Sequence, residues 1–212
     1  MRLLKDKAMK INYKLRMDAE IEKIKKTEVK PTLLLHACCA PCSSAVLENL
    51  SKYFNITLFF YNPNISPESE FLFRLDELNR LACEMDLNEI NVIAPEYDNS
   101  EFESVVKGME NLAEGGERCR KCYRLRLEKS VIYASDNQFD YVTTTLSISP
   151  HKNAQWLNEI GLELCEKYSM KYLCSDFKKD EGYKRSCYLS NKYNLYRQDY
   201  CGCVYSKNVR KD

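Results

Sequence analysis

The stretch Thr32-Leu33-Leu34-Leu35-His36-Ala37-Cys38-Cys39-Ala40-Pro41-Cys42-Ser43-Ser44 sets the fold class. Its apolar run reads as a short strand, Thr32 to His36, buried on both faces. A turn with three cysteines follows, and Val46, Leu47 and Leu50 mark a helix beginning after Cys42. In open α/β sheets ligands bind at such turns, because helix N-terminal amides and strand carboxyl ends converge there. Three thiols within five residues point to a soft-metal or redox centre.

Working outward, residues 56–61 form a second strand ending at the turn Asn62-Pro63-Asn64. Ser66 and Pro67 suit the N-cap and first position of a long helix with Phe71, Leu75, Leu78, Ala82 and Met85 on its apolar face. Cys83, beside that stripe, is expected as a small buried hydrophobe. Ile90, Val92 and Ile93 predict a third strand, and a helix follows over 99–109. Gly115-Gly116 precedes a helix reaching about residue 135, and Tyr141-Val142-Thr143-Thr144 is the fourth strand. A helix starts near Asn153, with Leu157, Ile160, Leu164 and Tyr168 on one side and Cys165 in the core. Alternating strands and helices predict an α/β three-layer sandwich around a mostly parallel sheet. Without repeats, low-complexity tracts or linkers, residues 1–212 are expected to form one domain.

Two segments flank this core. Residues 1–30 form a charged helical extension, either a solvated helix packed on the domain or an RNA-contacting arm. From Phe177 to the end, Tyr183, Tyr188, Tyr193, Tyr196 and Tyr200 interleave with Lys178, Lys179, Lys184, Arg185, Lys192 and Arg197. That mixture suits stacking and phosphate contacts with single-stranded RNA, or a helical tail packed on the domain. It closes on Cys201-Gly202-Cys203.

The chain has 212 residues, 44% of them hydrophobic and 30% charged, which describes an ordinary globular protein with room for a core. No apolar run is long enough to span a membrane, and the N-terminus Met1-Arg2-Leu3-Leu4-Lys5 lacks an apolar signal core, so a cytosolic setting is expected. A reducing compartment disfavours structural disulfides, so the 11 cysteines point to metal or catalysis. Net charge is +1, so any RNA contact has to come from a local patch.

The cysteines of interest fall into three groups: Cys38-Cys39 with Cys42, Cys119-x-x-Cys122, and Cys201-Gly202-Cys203. The Cys-x-x-Cys spacing serves zinc, an iron–sulfur cluster or dithiol redox chemistry. Adjacent side chains tend to diverge, which favours a cluster with separated ligand sites over one tetrahedral ion. On that ground Cys38, Cys39, Cys119 and Cys122 are candidate ligands of a four-iron four-sulfur cluster. Cys201 and Cys203 are expected as a strained redox pair, or as ligands of a second metal with Cys42. Cys174 and Cys187 are expected to be structural. His36 reads as a hydrogen-bonded core histidine, and His151 with Lys152 before a helix as an anion site or a solvent-facing cap.

Several motifs together resemble the epoxyqueuosine reductase family called QueH, from about Asn12-Tyr13 to Tyr205-Ser206. They are the stretch at 34–42, Tyr61-Asn62-Pro63-Asn64-Ile65, the run at 118–127 beginning Arg118-Cys119-Arg120-Lys121-Cys122, the run at 144–153 ending Pro150-His151-Lys152-Asn153, Tyr183-Lys184-Arg185-Ser186, Leu195-Tyr196-Arg197-Gln198 and Tyr200-Cys201-Gly202-Cys203. The resemblance implies a fold related to the PP-loop ATP pyrophosphatases, with the cysteine turn in place of their phosphate loop. It implies reduction of the epoxide of epoxyqueuosine at the tRNA wobble position to queuosine. It also implies a 4Fe-4S cluster on Cys38, Cys39, Cys119 and Cys122, with Cys201 and Cys203 either redox-active or holding a second iron that Cys42 completes. Ligation during turnover is the preferred role for that pair, with a disulfide as an oxidised state. Tyr61, Asn62, His151, Lys152, Tyr183, Lys184, Arg185 and Arg197 are the candidate contacts to substrate or RNA. The implied partners are a tRNA carrying epoxyqueuosine and an electron donor that the sequence leaves unidentified. A metal-free thiol–disulfide oxidoreductase and a zinc-stabilised tRNA-binding or thiolating PP-loop relative are the rival readings.

Overall fold

In the computed structural model, residues 11–87 and 90–209 are described; the expectation for the extreme N-terminus falls outside them. The elements run α1 (Tyr13–Ile24), β1 (Thr32–His36), α2 (Ala40–Leu50), β2 (Asn55–Phe59), α3 (Glu68–Glu84), β3 (Asn91–Ile93), α4 (Ser100–Val106), α5 (Glu117–Asp136), β4 (Tyr141–Thr144), a 3-10 turn (Thr145–Ile148), α6 (Ala154–Lys167), β5 (Lys171–Tyr172), α7 (Gly182–Lys192) and α8 (Val204–Val209). The strands form one sheet in the order β3-β2-β1-β4-β5, and every pairing is parallel. The α/β sandwich expected from the alternation is therefore present, with a wholly parallel sheet.

β1 is central because its side chains suit burial on both faces. Leu33 and Leu35 join the core under α1, α2 and α3, while Leu34 packs on the opposite side with Leu127, Val131 and Leu164 of α5 and α6. α1 docks through Met17, Ile21 and Ile24, so the described part of the N-terminal extension is a packed helix. The tail is packed as well: Phe177, Leu189 and Leu195 enter the same core.

Several local expectations differ from the structure. α2 starts at Ala40, not after Cys42, because Pro41 fits the first helical turn, where no backbone N–H is needed. At α3 the opposite holds: Pro67 is the N-cap residue and Ser66 lies outside the helix. β2 ends at Phe59, although Phe60 N–H still bonds to Ile93 carbonyl at 2.8 Å. The buried face of α3 carries Phe71, Arg74, Leu78 and Leu81, and Cys83 is exposed. Cys165 and Cys174 are buried, and Cys187 is half-buried. The two-residue strand β5 gave no sequence signal.

Gly161 lets α6 approach β5. A Cβ there would come within 2.3 Å of the Tyr172 ring, whose hydroxyl is tied to Leu157 carbonyl at 3.3 Å. Gly161→Ala should cost about 1–3 kcal/mol, read as a lower urea midpoint; an unchanged midpoint would show that the ring moves freely.

Candidate active site

All three cysteine groups sit at helix N-termini, where unpaired N–H groups and the macrodipole favour a thiolate. Cys39 is the N-cap residue of α2 and Cys42 lies in its first turn. Cys119 and Cys122 lie near the start of α5, whose N-cap is Gly116, and Gly115 N–H donates to Cys119 Sγ at 3.3 Å. α8 begins directly after Cys203.

The order β3-β2-β1-β4-β5 reverses direction between β1 and β4, the place where parallel sheets open a crevice. Cys38 is pinned across that crevice: its N–H donates to Thr145 Oγ1 at 3.2 Å, and the Thr145 hydroxyl donates to its Sγ at 3.4 Å. Held this way, Cys38 Sγ lies 3.8 Å from Cys39 Sγ. The adjacent thiols thus converge, contrary to the steric tendency read from sequence, and Cys42 joins them with all three sulfurs within 4.8 Å of one another. Hydrogen bonds from the Cys39 and Cys42 thiols hold Cys38 well below the usual thiol range, with Arg126 assisting, and leave Cys39 at about 12 and Cys42 also raised.

Two cavities adjoin here. The larger, about 150 Å³, is lined by Cys38, Cys39 and Cys42 together with Tyr183, Arg197 and Tyr200. The smaller is lined by Cys119, Cys122 and Cys203 together with Asn64 and Arg118. Cys201, Arg126 and Lys152 belong to both. Cys201 is held below the thiol range by its bond from Cys203 and by the Lys152 charge, while Cys203 is raised. Burial pushes Cys122 up to about 11. Burial opposes the charge of Lys152, yet Cys201, Tyr123 and Glu114 outweigh it and raise its pKa.

The Cys201-Gly202-Cys203 turn is seated on the loop after β2. Gly202 carbonyl accepts from Ser66 N–H at 3.0 Å, and Cys201 Sγ lies 3.0 Å from Ser206 Oγ. Arg118 donates to the carbonyls of Met109 and Glu110 at 3.1 and 2.9 Å and lies 4.7 Å from the Tyr205 ring, which ties α5 to α8.

A family model described as epoxyqueuosine reductase QueH matches residues 33–209. The chain belongs to that family. It is 40% identical over 204 residues to a Streptococcus pyogenes serotype M1 protein named epoxyqueuosine reductase QueH, covering 95% of this chain and 80% of the relative. A Staphylococcus epidermidis protein of the same name is also 40% identical, covering 99% and 94%. One from Thermotoga maritima is 35% identical, covering 85% and 93%. The family is one of oxidoreductases, and no helix among the described residues is long and apolar enough to cross a membrane.

The remaining candidates separate by place. His151, Lys152, Tyr183 and Arg197 line the larger cavity, His151 exposed and Lys152 half-buried 3.6 Å from Glu114. Lys184 and Arg185 line neither sulfur cavity and are paired on the surface with Glu181 and Glu48. Tyr61 donates to Glu101 in a separate cleft with Lys129 and Tyr133. Asn62 is buried: its amide donates to Ala37 carbonyl at 2.9 Å and its oxygen accepts from Arg126. Sequence reasoning did not single out Arg74, Arg126, Asn64 or Thr145. A usable signal was the four-residue spacing of Arg118, Cys122 and Arg126, which puts them on one helix face.

Gly202 has φ +104°, and a Cβ there would meet Ile65 at 2.8 Å and Arg74 Nη1 at 3.1 Å. Gly202→Ala should therefore unseat the turn and speed iodoacetamide alkylation of buried Cys203 by about tenfold, the equivalent of about 1.4 kcal/mol of local opening. Peptide mass spectrometry checks it; an unchanged rate would mean that the turn tolerates the methyl.

Proposed function

We propose that this chain reduces the epoxide of epoxyqueuosine at the tRNA wobble position to the cyclopentene of queuosine. The reaction takes two electrons and two protons, breaks both C–O bonds of the epoxide and releases its oxygen as water. The electrons come from an external low-potential carrier that remains unnamed. The observation that carries this reading is the meeting of three cysteine groups on two adjoining cavities, one of which opens onto aromatic and basic side chains.

The donor set suits a 4Fe-4S cluster on Cys38, Cys39, Cys119 and Cys122. Cys38 packs against the apolar cluster that contains Cys119. Asn64 Oδ1, Arg118 Nε and Arg126 Nε are buried without hydrogen-bond partners around the smaller cavity, and buried polar atoms of that kind mark a place for a further group. Such a cluster supplies electrons one at a time. Cys201, which lines both cavities, and Cys203, which lines the smaller, then act as ligands of a second iron completed by Cys42 or as a redox pair. The 4.8 Å convergence of Cys38, Cys39 and Cys42 also favours a second division, with those three thiols around a single ion.

The chain's own residues have separate tasks. Tyr183 and Arg197, stacked at 5.8 Å, supply an aromatic face and a cation at the rim of the larger cavity, suited to a base splayed from the anticodon loop. Lys152, half-buried and lining both cavities, stabilises negative charge on the departing oxygen in this reading. Local cations of this kind allow RNA binding at a net charge of +1, with salt-sensitive affinity. The packed helix α1 and the tail over 177–209 are taken as parts of one catalytic domain, working in the reducing cytoplasm where thiols persist.

The test is anaerobic reconstitution with iron and sulfide, then mass spectrometry of epoxyqueuosine-containing tRNA under reductant. Conversion to queuosine is expected; a colourless protein without iron that still converts would favour thiol–disulfide chemistry, and tightly held zinc without conversion would favour the zinc reading. Cys119→Ala should abolish the visible absorption of the cluster, whereas full retention would assign the metal to Cys38, Cys39 and Cys42 alone. Cys203→Ala should keep that absorption and lose conversion. Full activity in this variant would remove the pair from the reaction.

A further inference from the structure

Arg126 is only 4% exposed. A buried guanidinium keeps its charge, and without an anion the loss of hydration costs several kcal/mol. Of the other deeply buried arginines, Arg74 meets the Glu70 carboxylate at 2.7 Å, and Arg118 donates to three backbone carbonyls although its Nε also lacks a partner. Arg126 has one neutral partner, Asn62 Oδ1, no carboxylate within 4.0 Å among the described residues, and a buried Nε–H with no acceptor.

The surroundings name the missing anion. Arg126 lines both cavities, and the cysteines of all three groups line them with it. Asn62 fixes its position, since the Asn62 amide is itself held by Ala37 carbonyl, the residue before Cys38. The helix face carrying Arg126 and the turn carrying Cys38 are thus joined through one amide side chain.

We propose that Arg126, oriented by Asn62, is the resident counter-cation of the sulfur site and sets the reduction potential of the iron–sulfur group held there. This rests on the cluster reading above. A fixed positive charge and an N–H without an acceptor in the same cavities stabilise the more negative, reduced state and raise the potential. Arg126, lining both cavities, would lie against the group held there, while Asn62 is a positioning residue that acts through Arg126.

The experiment is spectroelectrochemical titration of the anaerobically reconstituted protein, with iron and sulfide counted for each variant. Arg126→Gln should keep the iron and sulfide content and make the midpoint more negative by at least about 59 mV, a tenfold change in a one-electron equilibrium. Arg126→Lys should recover most of the shift. Should Arg126→Gln fail to hold iron, Asn62→Ala decides: it leaves the guanidinium in place but unanchored, and its midpoint should also fall. An unchanged midpoint in an iron-loaded Arg126→Gln, or in iron-loaded Asn62→Ala when the first variant is empty, would overturn the proposal. Wild-type protein that takes up no iron and sulfide would instead overturn the cluster reading, so the two failures are distinct.

Discussion

The bond between His36 Nδ1 and Thr144 Oγ1, 2.8 Å long, joins the carboxyl ends of β1 and β4 at the point where the sheet reverses direction. Its polarity is settled by the neighbours. Tyr61 carbonyl, 3.1 Å from Nε2, can only accept, so Nε2 carries the proton and the Thr144 hydroxyl donates to Nδ1. Burial and the nearby Arg126 charge lower the His36 pKa to about 3, which keeps the ring neutral and this arrangement intact. From there the turn is held link by link. Ala37 N–H bonds to Phe59 carbonyl at 2.9 Å, Ala37 carbonyl accepts from Asn62, and Cys38 is tied to Thr145. The cysteine turn is thus anchored to strands on both sides before any sulfur chemistry is considered.

Charge follows the same plan. A net charge of +1 conceals an uneven interior in which Arg74, Arg126 and Lys152 surround a collection of thiols. Helix N-termini add partial positive charge at each cysteine group. Together they favour anionic sulfur in a place where burial alone disfavours it, as the raised Cys122 shows. The protein therefore collects cations locally without becoming a basic protein, and the larger cavity carries the same sign outward to Arg197 at its rim.

Legibility in the sequence depended on how local the cause was. β1, β4 and α6 were readable because apolar residues at strand or helix spacing leave few alternatives, and Asn153 does cap α6 by accepting from Trp156 N–H at 3.1 Å. Pro41 and Pro67 were each misplaced by a position or two, since proline suits both the first turn of a helix and the residue before it. β5 has two residues and no periodicity to find. The cysteine positions were legible as chemistry, but the convergence of the Cys38 and Cys39 sulfurs was not. Cys38 is held by Thr145, which reaches it through the register of β1 against β4. Arg126 was obscured for a similar reason: in a helix with Arg118, Arg120, Lys121 and Arg124, its burial comes from packing rather than composition.

The two sides of the site are held by different means. Cys38, Cys39 and Cys42 are fixed by sheet hydrogen bonds and by α2, whereas Tyr200, Cys201 and Cys203 depend on the contact of Gly202 with the loop after β2. α7 packs on α2 and Tyr205 packs on Arg118, so the tail is bound to the helices that carry both of the other cysteine groups. Moving the tail would take Cys201 out of both cavities while leaving the Cys38–Thr145 bonds untouched. A glycine at 202 is what allows the closest seating, because any side chain would meet Ile65 and Arg74. The first cysteine turn is thus a rigid half of the site, and the other half is completed only when the end of the chain docks against it.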